Sequence, residues 1–147
     1  MRAIVQRVSS AEVRVAGRIA GRIARGFVIL LGVARGDTAQ DAEFIADRVI
    51  GLTVFADPAG KMNLALSAVN GELLVVSQFT LHADTSQRRP SFLEAAPPEE
   101  ARPLYEHFLS LARGRGVKVE AGKFGAHMDV SLVNDGPVTI ILDSRNR

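Results

Sequence analysis

The chain reads as an α+β protein: a curled, barrel-like mixed β-sheet with two main helices, in a single domain over residues 1–147. Three observations predict this. Short runs rich in Val, Ile and Leu recur from the first residues to the last, and only two stretches carry helical spacing, which argues a mostly β chain with two inserted helices. A length of 147 residues fits one domain, long enough to bury roughly two-thirds of the surface its unfolded form exposes.

The elements follow in order. A strand pattern covers Ala3 to Val8, and a hairpin follows it, with Val13 and Val15 before Ala16-Gly17 and Ile19 and Ile23 after. Phe27-Val28-Ile29-Leu30-Leu31, bounded by Gly26 and Gly32, is apolar throughout and predicts a central strand. Thr38, with Asp41 three residues on, forms a capping-box pattern that opens a helix whose apolar face is Ile45, Val49 and Leu52. Asp57-Pro58-Ala59-Gly60 is a turn, and Asn70-Gly71 predicts a tight hairpin turn into a strand from Glu72 to Phe79. From His82 to Pro97 the chain is polar and predicts a long loop. A second helix runs from about Pro98 to Arg113 with Leu104, Phe108 and Leu111 inward, and Pro103 implies a kink or a later start. Val117-Lys118-Val119, Met128 to Leu132 and Val138 to Leu142 are the remaining strands.

Composition excludes several function classes. Hydrophobic residues at 47% and charged residues at 23% are those of a globular chain, not a disordered one. Without cysteine there is no disulfide or thiolate chemistry, and His82, His107 and His127 have no metal-ligand spacing, so neither metal nor cofactor is expected. No GxGxxG or P-loop pattern supports a nucleotide cofactor. No apolar run approaches the roughly 18 residues of a membrane span, which predicts no membrane partner and a cytoplasmic location. The net charge of +2 is mild and mostly arginine; Arg14, Arg18, Arg22, Arg25, Arg88 and Arg89 could form a nucleic-acid footprint or simply a solvated surface.

Two segments carry the functional signal. Ser77-Gln78-Phe79-Thr80-Leu81 follows the buried run Leu73-Leu74-Val75-Val76 and presents hydroxyl and amide groups beside one aromatic ring. Asn134-Asp135-Gly136-Pro137-Val138-Thr139 places a Gly-Pro dipeptide after a turn-forming pair, where proline fixes the backbone and a cis bond is open to it. Both read as strand-end site segments. A side-chain nucleophile is a poor alternative. Thr80, His82 and Asp84 would stand side by side on one strand face instead of chaining head to tail, and Ser77 lacks a GxSxG elbow. Each histidine reads more simply as structural or solvated: His82 in a loop, His107 on an exposed helix position, His127 in a turn.

In this order and at these positions, the two segments resemble the signatures of the D-aminoacyl-tRNA deacylases. The likeness extends to Ile4-Val5-Gln6-Arg7-Val8, Leu30-Leu31-Gly32-Val33, Gly60-Lys61-Met62-Asn63, Arg89-Pro90-Ser91-Phe92 and Met128 through Thr139, nearly the whole chain. One departure is the segment Ala83 to Phe92, slightly shorter than the family's usual loop and without its glycine before Arg-Pro-Ser-Phe. The resemblance implies a homodimer that hydrolyses the ester between a D-amino acid, or glycine, and the 3′-terminal adenosine of tRNA. It implies that Ser77, Gln78, Phe79 and Thr80 form the catalytic pocket, with main-chain N–H groups near Gln78 and Phe79 facing the carbonyl oxygen. Thr80 would act either as nucleophile or by placing water, unless the substrate's own ribose hydroxyl does the chemistry. It further implies that Gly136 and Pro137 form a Gly-cisPro motif, reaching from the partner subunit to exclude the L side chain. A small-molecule esterase and a non-catalytic RNA-binding module remain as alternatives, the second weakened by an aromatic content of only 5%.

Overall fold

The computed structural model describes residues 1–147. In chain order the elements are β1 (Arg2–Val15), β2 (Arg18–Ile23), β3 (Gly26–Gly32), α1 (Ala39–Gly51), β4 (Phe55–Ala56), β5 (Met62–Leu64), β6 (Glu72–Ser77), α2 (Pro98–Gly114), β7 (Val119–Ala121) and β8 (Asp129–Asp143). β1 outruns its predicted end at Val8 because it serves different partners along its length. Its first half pairs antiparallel with β3, from Arg2 opposite Gly32 to Val8 opposite Gly26, and its second half with β2, from Ala11 opposite Ile23. The hairpin turns at Ala16 and Gly17, both at positive φ (51° and 78°), the shape a two-residue connection needs.

β6 lies parallel to β3, β7 lies parallel to β6, and β8 runs antiparallel along the other side of β1. The sheet is therefore mixed, and it curls until its ends nearly meet. At that seam the Arg22 N–H points at Glu120 Oε1 at 3.5 Å, and a Cβ on Gly21 would sit 3.1 Å from the Ala121 carbonyl oxygen. Glycine makes so close an approach easy, since a side chain there would be tightly crowded. The curl divides the apolar interior. Phe27, Ile29, Leu31, Leu73 and Val75 pack towards α1 and α2, while Val28 and Leu74 join Val8, Ala11, Val13 and Ile23 inside the curl. β3 is buried on both faces, which is why its sequence is apolar throughout.

Both predicted helices form. On α1 the Asp41 carboxylate accepts the Thr38 N–H at 2.8 Å, the reciprocal half of the capping box. Its buried face is Ala42, Ile45, Ala46 and Val49; Leu52, predicted within the face, is the extended residue after the last turn. α2 begins at Pro98 with Pro103 inside it, so the later start does not occur. Pro103 lies on the exposed side. The inward face is Ala101, Tyr105, Phe108, Leu109 and Ala112, leaving Leu104 and Leu111 on its flanks.

Three strand assignments are corrected. Asn70-Gly71 is not a hairpin turn, because both neighbours of β6 are parallel to it. Asn70, at φ 51°, caps a 3₁₀ turn over Leu66–Val69, and the Gly71 N–H donates to Leu66 O at 2.9 Å. The strand predicted at Val117 to Val119 lies at Val119–Ala121. Met128 to Leu132 and Val138 to Leu142 are not two strands but parts of β8, held continuous by β1 alongside. No helix is long and apolar enough to cross a membrane.

Candidate active site

The first site segment is built by the end of β6. Ser77 lies opposite Leu31 on β3, the Gln78 N–H donates to Leu31 O at 2.8 Å, and the chain then folds into a 3₁₀ turn, Phe79–His82. The strand predicted to reach Phe79 thus stops at Ser77. The reason is Gly32: a Cβ there would lie 2.9 Å from Gln78 O, 3.0 Å from Leu81 Cβ and 3.2 Å from His82 Cδ2. Lacking a side chain, Gly32 lets the turn cross the end of β3.

His82, expected in solvent, is buried, with Nε2 3.0 Å from Gly32 O. Burial pushes its pKa below the ordinary histidine value. The Gly32 carbonyl opposes that shift, and the positive Met1 amino group and Arg2 add to it. Thr80 and His82 sit on the 3₁₀ turn and Asp84 lies beyond it, so the three share no strand face and the triad geometry loses its premise. His107 is partly exposed on α2, with Nε2 3.9 Å from Glu43 Oε1, and His127 is exposed beside Asp129.

Ser77, Gln78 and Phe79 line a cavity of about 680 Å³, within the usual size of a small-ligand site. Thirteen of its 20 lining residues are hydrophobic and none is Asp or Glu. One wall comes from the ends of β3 and β6, the other from Pro97, Pro98, Ala101 and Tyr105 with the segment Phe124 to Met128. The Tyr105 hydroxyl donates to Val75 O at 2.9 Å, and the Gly122 N–H reaches the same carbonyl at 3.0 Å, so α2 and the chain after β7 are both tied to β6 just before the site. Burial pushes the Tyr105 phenol up to about 12, leaving it a hydrogen-bond donor at any physiological pH. At the mouth, Phe79 and Phe92 meet edge to face at 5.2 Å, both exposed.

Thr80 does not line the cavity, and its Oγ1 accepts a 2.6 Å hydrogen bond from Gln78 Nε2. The Gln78 N–H, expected to face a reacting carbonyl, is spent on Leu31 O. Phe79 and Thr80, first in the turn, are the residues whose N–H groups have no partner within it. No group of three or more His, Asp or Glu side chains comes together to hold a metal ion. As predicted, a long loop without a helix or strand joins the turn to α2, and its tip is fastened: Asp84 and Ser91 exchange backbone hydrogen bonds of 2.8 and 2.9 Å around Thr85 to Pro90.

The second segment does not end a strand. It is an excursion in the middle of β8: Gln6 pairs with Thr139 and Val8 with Asn134, so Asp135, Gly136, Pro137 and Val138 stand opposite the single residue Arg7. The Arg7 guanidinium holds the excursion, with Nε on Asp135 O at 3.1 Å and 3.4 Å from its carboxylate, and Nη1 on Val54 O at 2.6 Å. The Gly136–Pro137 bond is cis, and both residues are exposed. Neither lines the chain's own cavity. The structure thus gathers Ser77, Gln78 and Phe79 in one place and sets Gly136 and Pro137 apart from them. Sequence patterns missed Arg35, Tyr105 and Phe124, which reach the cavity from three separate segments and carry no local signal. The Tyr105 position within the apolar spacing of α2 was the one available hint.

A family model described as D-Tyr-tRNA(Tyr) deacylase matches residues 4–143. A D-aminoacyl-tRNA deacylase of Thermotoga petrophila is 57% identical over 145 residues, covering 98% of this chain and 97% of the relative. That of Anaeromyxobacter dehalogenans is 58% identical over 146 residues, covering 99% and 98%. A solved structure described as a c-Myc DNA unwinding element binding protein superposes with a TM-score of 0.92 at 39% identity, covering 97% of this chain and 98% of the other. A probable eukaryotic D-amino acid tRNA deacylase, at 18% identity, 96% and 97% coverage and a TM-score of 0.81, shares the fold.

Proposed function

The chain belongs to the D-Tyr-tRNA(Tyr) deacylase family, and from that premise we propose how its cavity hydrolyses the ester of D-aminoacyl-tRNA and how the L form is spared. The activity is hydrolysis: water adds to the ester carbonyl, the bond from that carbon to the ribose oxygen breaks, and the ribose oxygen takes a proton. Free D-amino acid and tRNA result.

The cavity's chemistry supports a mechanism without a side-chain nucleophile. No carboxylate lines the cavity; of its lining groups the Ser77 hydroxyl has no base hydrogen-bonded to it, the Tyr105 hydroxyl donates to Val75 O and His127 is exposed beside Asp129, while outside it the buried His82 ring faces Gly32 O and the Thr80 hydroxyl accepts from Gln78. The neighbouring hydroxyl on the terminal ribose, already held beside the carbonyl, orients or activates the water. The N–H groups of Phe79 and Thr80 take the charge that develops on the carbonyl oxygen, and Ser77 and Gln78 shape the pocket around it. One such donor is worth roughly 3 kcal/mol.

Chirality is assigned to the Asp135–Val138 excursion, and the observation that carries this is its placement: clamped by Arg7, exposed, and away from its own cavity. In a homodimer it enters the partner's pocket as a rigid backbone wall. A wall rejects an L side chain by clash, whereas fitted contacts to a D side chain discriminate by only about 1–3 kcal/mol. Glycine carries no side chain to exclude, so glycyl-tRNA is also a substrate. A dimer is supported by the open outer edge of β8 and by its exposed Val133 and Ile141.

The test compares D-aminoacyl-tRNA, the L form, glycyl-tRNA and a small D-amino-acid ester lacking RNA. The expected order is rapid turnover of the first and third, none of the second and little of the fourth. Equal turnover of the small ester would make the protein a general esterase. Binding of tRNA without turnover would make it an RNA-binding module.

A further inference from the structure

We propose that Arg35, which lines the cavity, and Arg102, stacked on its lining residue Phe124, grip the phosphodiester backbone of the substrate's single-stranded 3′ end; the inference rests on the reading of the cavity as an aminoacyl-tRNA pocket. Arg35 follows β3 and lines the cavity. Its Nε donates to Leu93 O at 2.6 Å and its backbone N–H to Glu94 O at 2.9 Å, which fixes the guanidinium and leaves its two terminal NH₂ groups without a protein acceptor. Arg102 projects from α2 over the ring of Phe124, itself a lining residue, with 5.2 Å from its guanidinium carbon to the centroid.

Other arginines, such as Arg25, Arg48 and Arg147, also lack a carboxylate partner, but placement singles these two out: Arg35 lines the cavity and Arg102 covers its lining residue Phe124. Arg2, Arg7, Arg14, Arg22, Arg115 and Arg145 each pair with an Asp or Glu side chain. Arg35 and Arg102 are held instead by a carbonyl and a ring, so their positive charge stays uncompensated beside a cavity that no Asp or Glu lines. The aminoacyl group gives no reason for this, since its own amine is a cation that two guanidinium groups repel. The anion must lie elsewhere on the same substrate. The nearest are the phosphodiesters leading to the terminal adenosine, and a pre-oriented guanidinium suits phosphate oxygens through paired N–H donors.

The test uses two substrates: D-aminoacyl-tRNA and 3′-O-(D-aminoacyl)adenosine, which carries no phosphate. For Arg35→Met and Arg102→Met, KM for the tRNA substrate at low salt should rise roughly tenfold each with kcat little changed, while KM for the nucleoside ester moves less than twofold. The slope of log KM against log salt should flatten by about 0.7 for each phosphate that is no longer neutralised, and the Lys variants should recover part of both effects. Equal changes on the two substrates would show that the arginines only build the pocket, and no change on tRNA would remove them from recognition; either overturns the proposal. A wild-type protein that hydrolyses the nucleoside ester as readily as the tRNA would overturn it as well, leaving the deacylase chemistry intact. Wild-type protein inert toward both would overturn the functional reading and this inference with it.

Discussion

Gly136 sits at φ +121°, where an L residue is strained, and a Cβ added there would lie 2.7 Å from Arg7 Nη2 and 3.0 Å from Val138 Cγ2. Gly136→Ala therefore costs more than about 1 kcal/mol of stability and pushes Arg7 off Asp135. With its clamp displaced the excursion shifts, and the ratio of D- to L-aminoacyl-tRNA hydrolysis should fall. A variant with wild-type melting temperature and an unchanged ratio would leave the excursion a structural feature only. Thr80 gives the opposite expectation. Its hydroxyl accepts from Gln78 and stands outside the cavity, so Thr80→Ala should keep activity within about tenfold of wild type, whereas loss of a nucleophile costs roughly 10⁴-fold or more. Substrate ending in 2′-deoxyadenosine, with the amino acid on the 3′ oxygen, should be cleaved far more slowly by both proteins. The residues of both segments were legible in the sequence because they depart from the apolar pattern around them. Arg7 was legible only as part of a resemblance: nothing in Ile4 to Val8 says that one arginine faces four residues of a strand far along the chain.

Elements were legible where local pattern decides them and obscure where a neighbour does. The capping box of α1, the hairpin at Ala16-Gly17 and the doubly buried β3 all follow from residues within the element. The end of β6, the continuity of β8 and the inward face of α2 do not. β6 stops at Ser77 because Gly32, in another strand, lets the Phe79–His82 turn cross over it, and His82 fastens the turn to that glycine's carbonyl. This contact has a pH dependence. The folded protein holds His82 below its ordinary pKa, so the unfolded chain binds a proton first as pH falls. The stability from keeping the ring neutral is complete above about pH 6.5 and is lost as pH drops through the lowered folded value. Denaturant midpoints between pH 7.5 and 5 should fall for the wild type and stay flatter for His82→Gln. The lowered carboxyl pKa values of Asp41 and Asp143 act in a separate, more acid window. Parallel pH profiles for the two proteins would place the sensitivity elsewhere.

At the scale of the whole molecule, the cavity and the excursion that the proposed function pairs do not meet within one chain. The cavity opens between α2 and the ends of β3 and β6, and the clamped excursion stands on β8, absent from the cavity lining. β8 is paired on one side only, and Val133 and Ile141 along it are 57% and 69% exposed. An isolated chain gains nothing from a long open strand edge carrying large apolar side chains, and such edges are normally blunted by charge, proline or cover. A second copy related by two-fold symmetry would cover the edge and bring each excursion to the other's cavity, giving two equivalent sites. Val133→Glu and Ile141→Glu separate folding from assembly, because a charge at a position this exposed in the single chain should change its stability by no more than about 0.5 kcal/mol. Each variant should sediment as a folded monomer with a wild-type circular dichroism spectrum. Each should also lose its preference for D over L, since neither cavity would have a wall beside it. Wild-type protein that sediments as a monomer at assay concentration while fully active and fully selective would break this account at its base, for a single chain would then have to complete its own site.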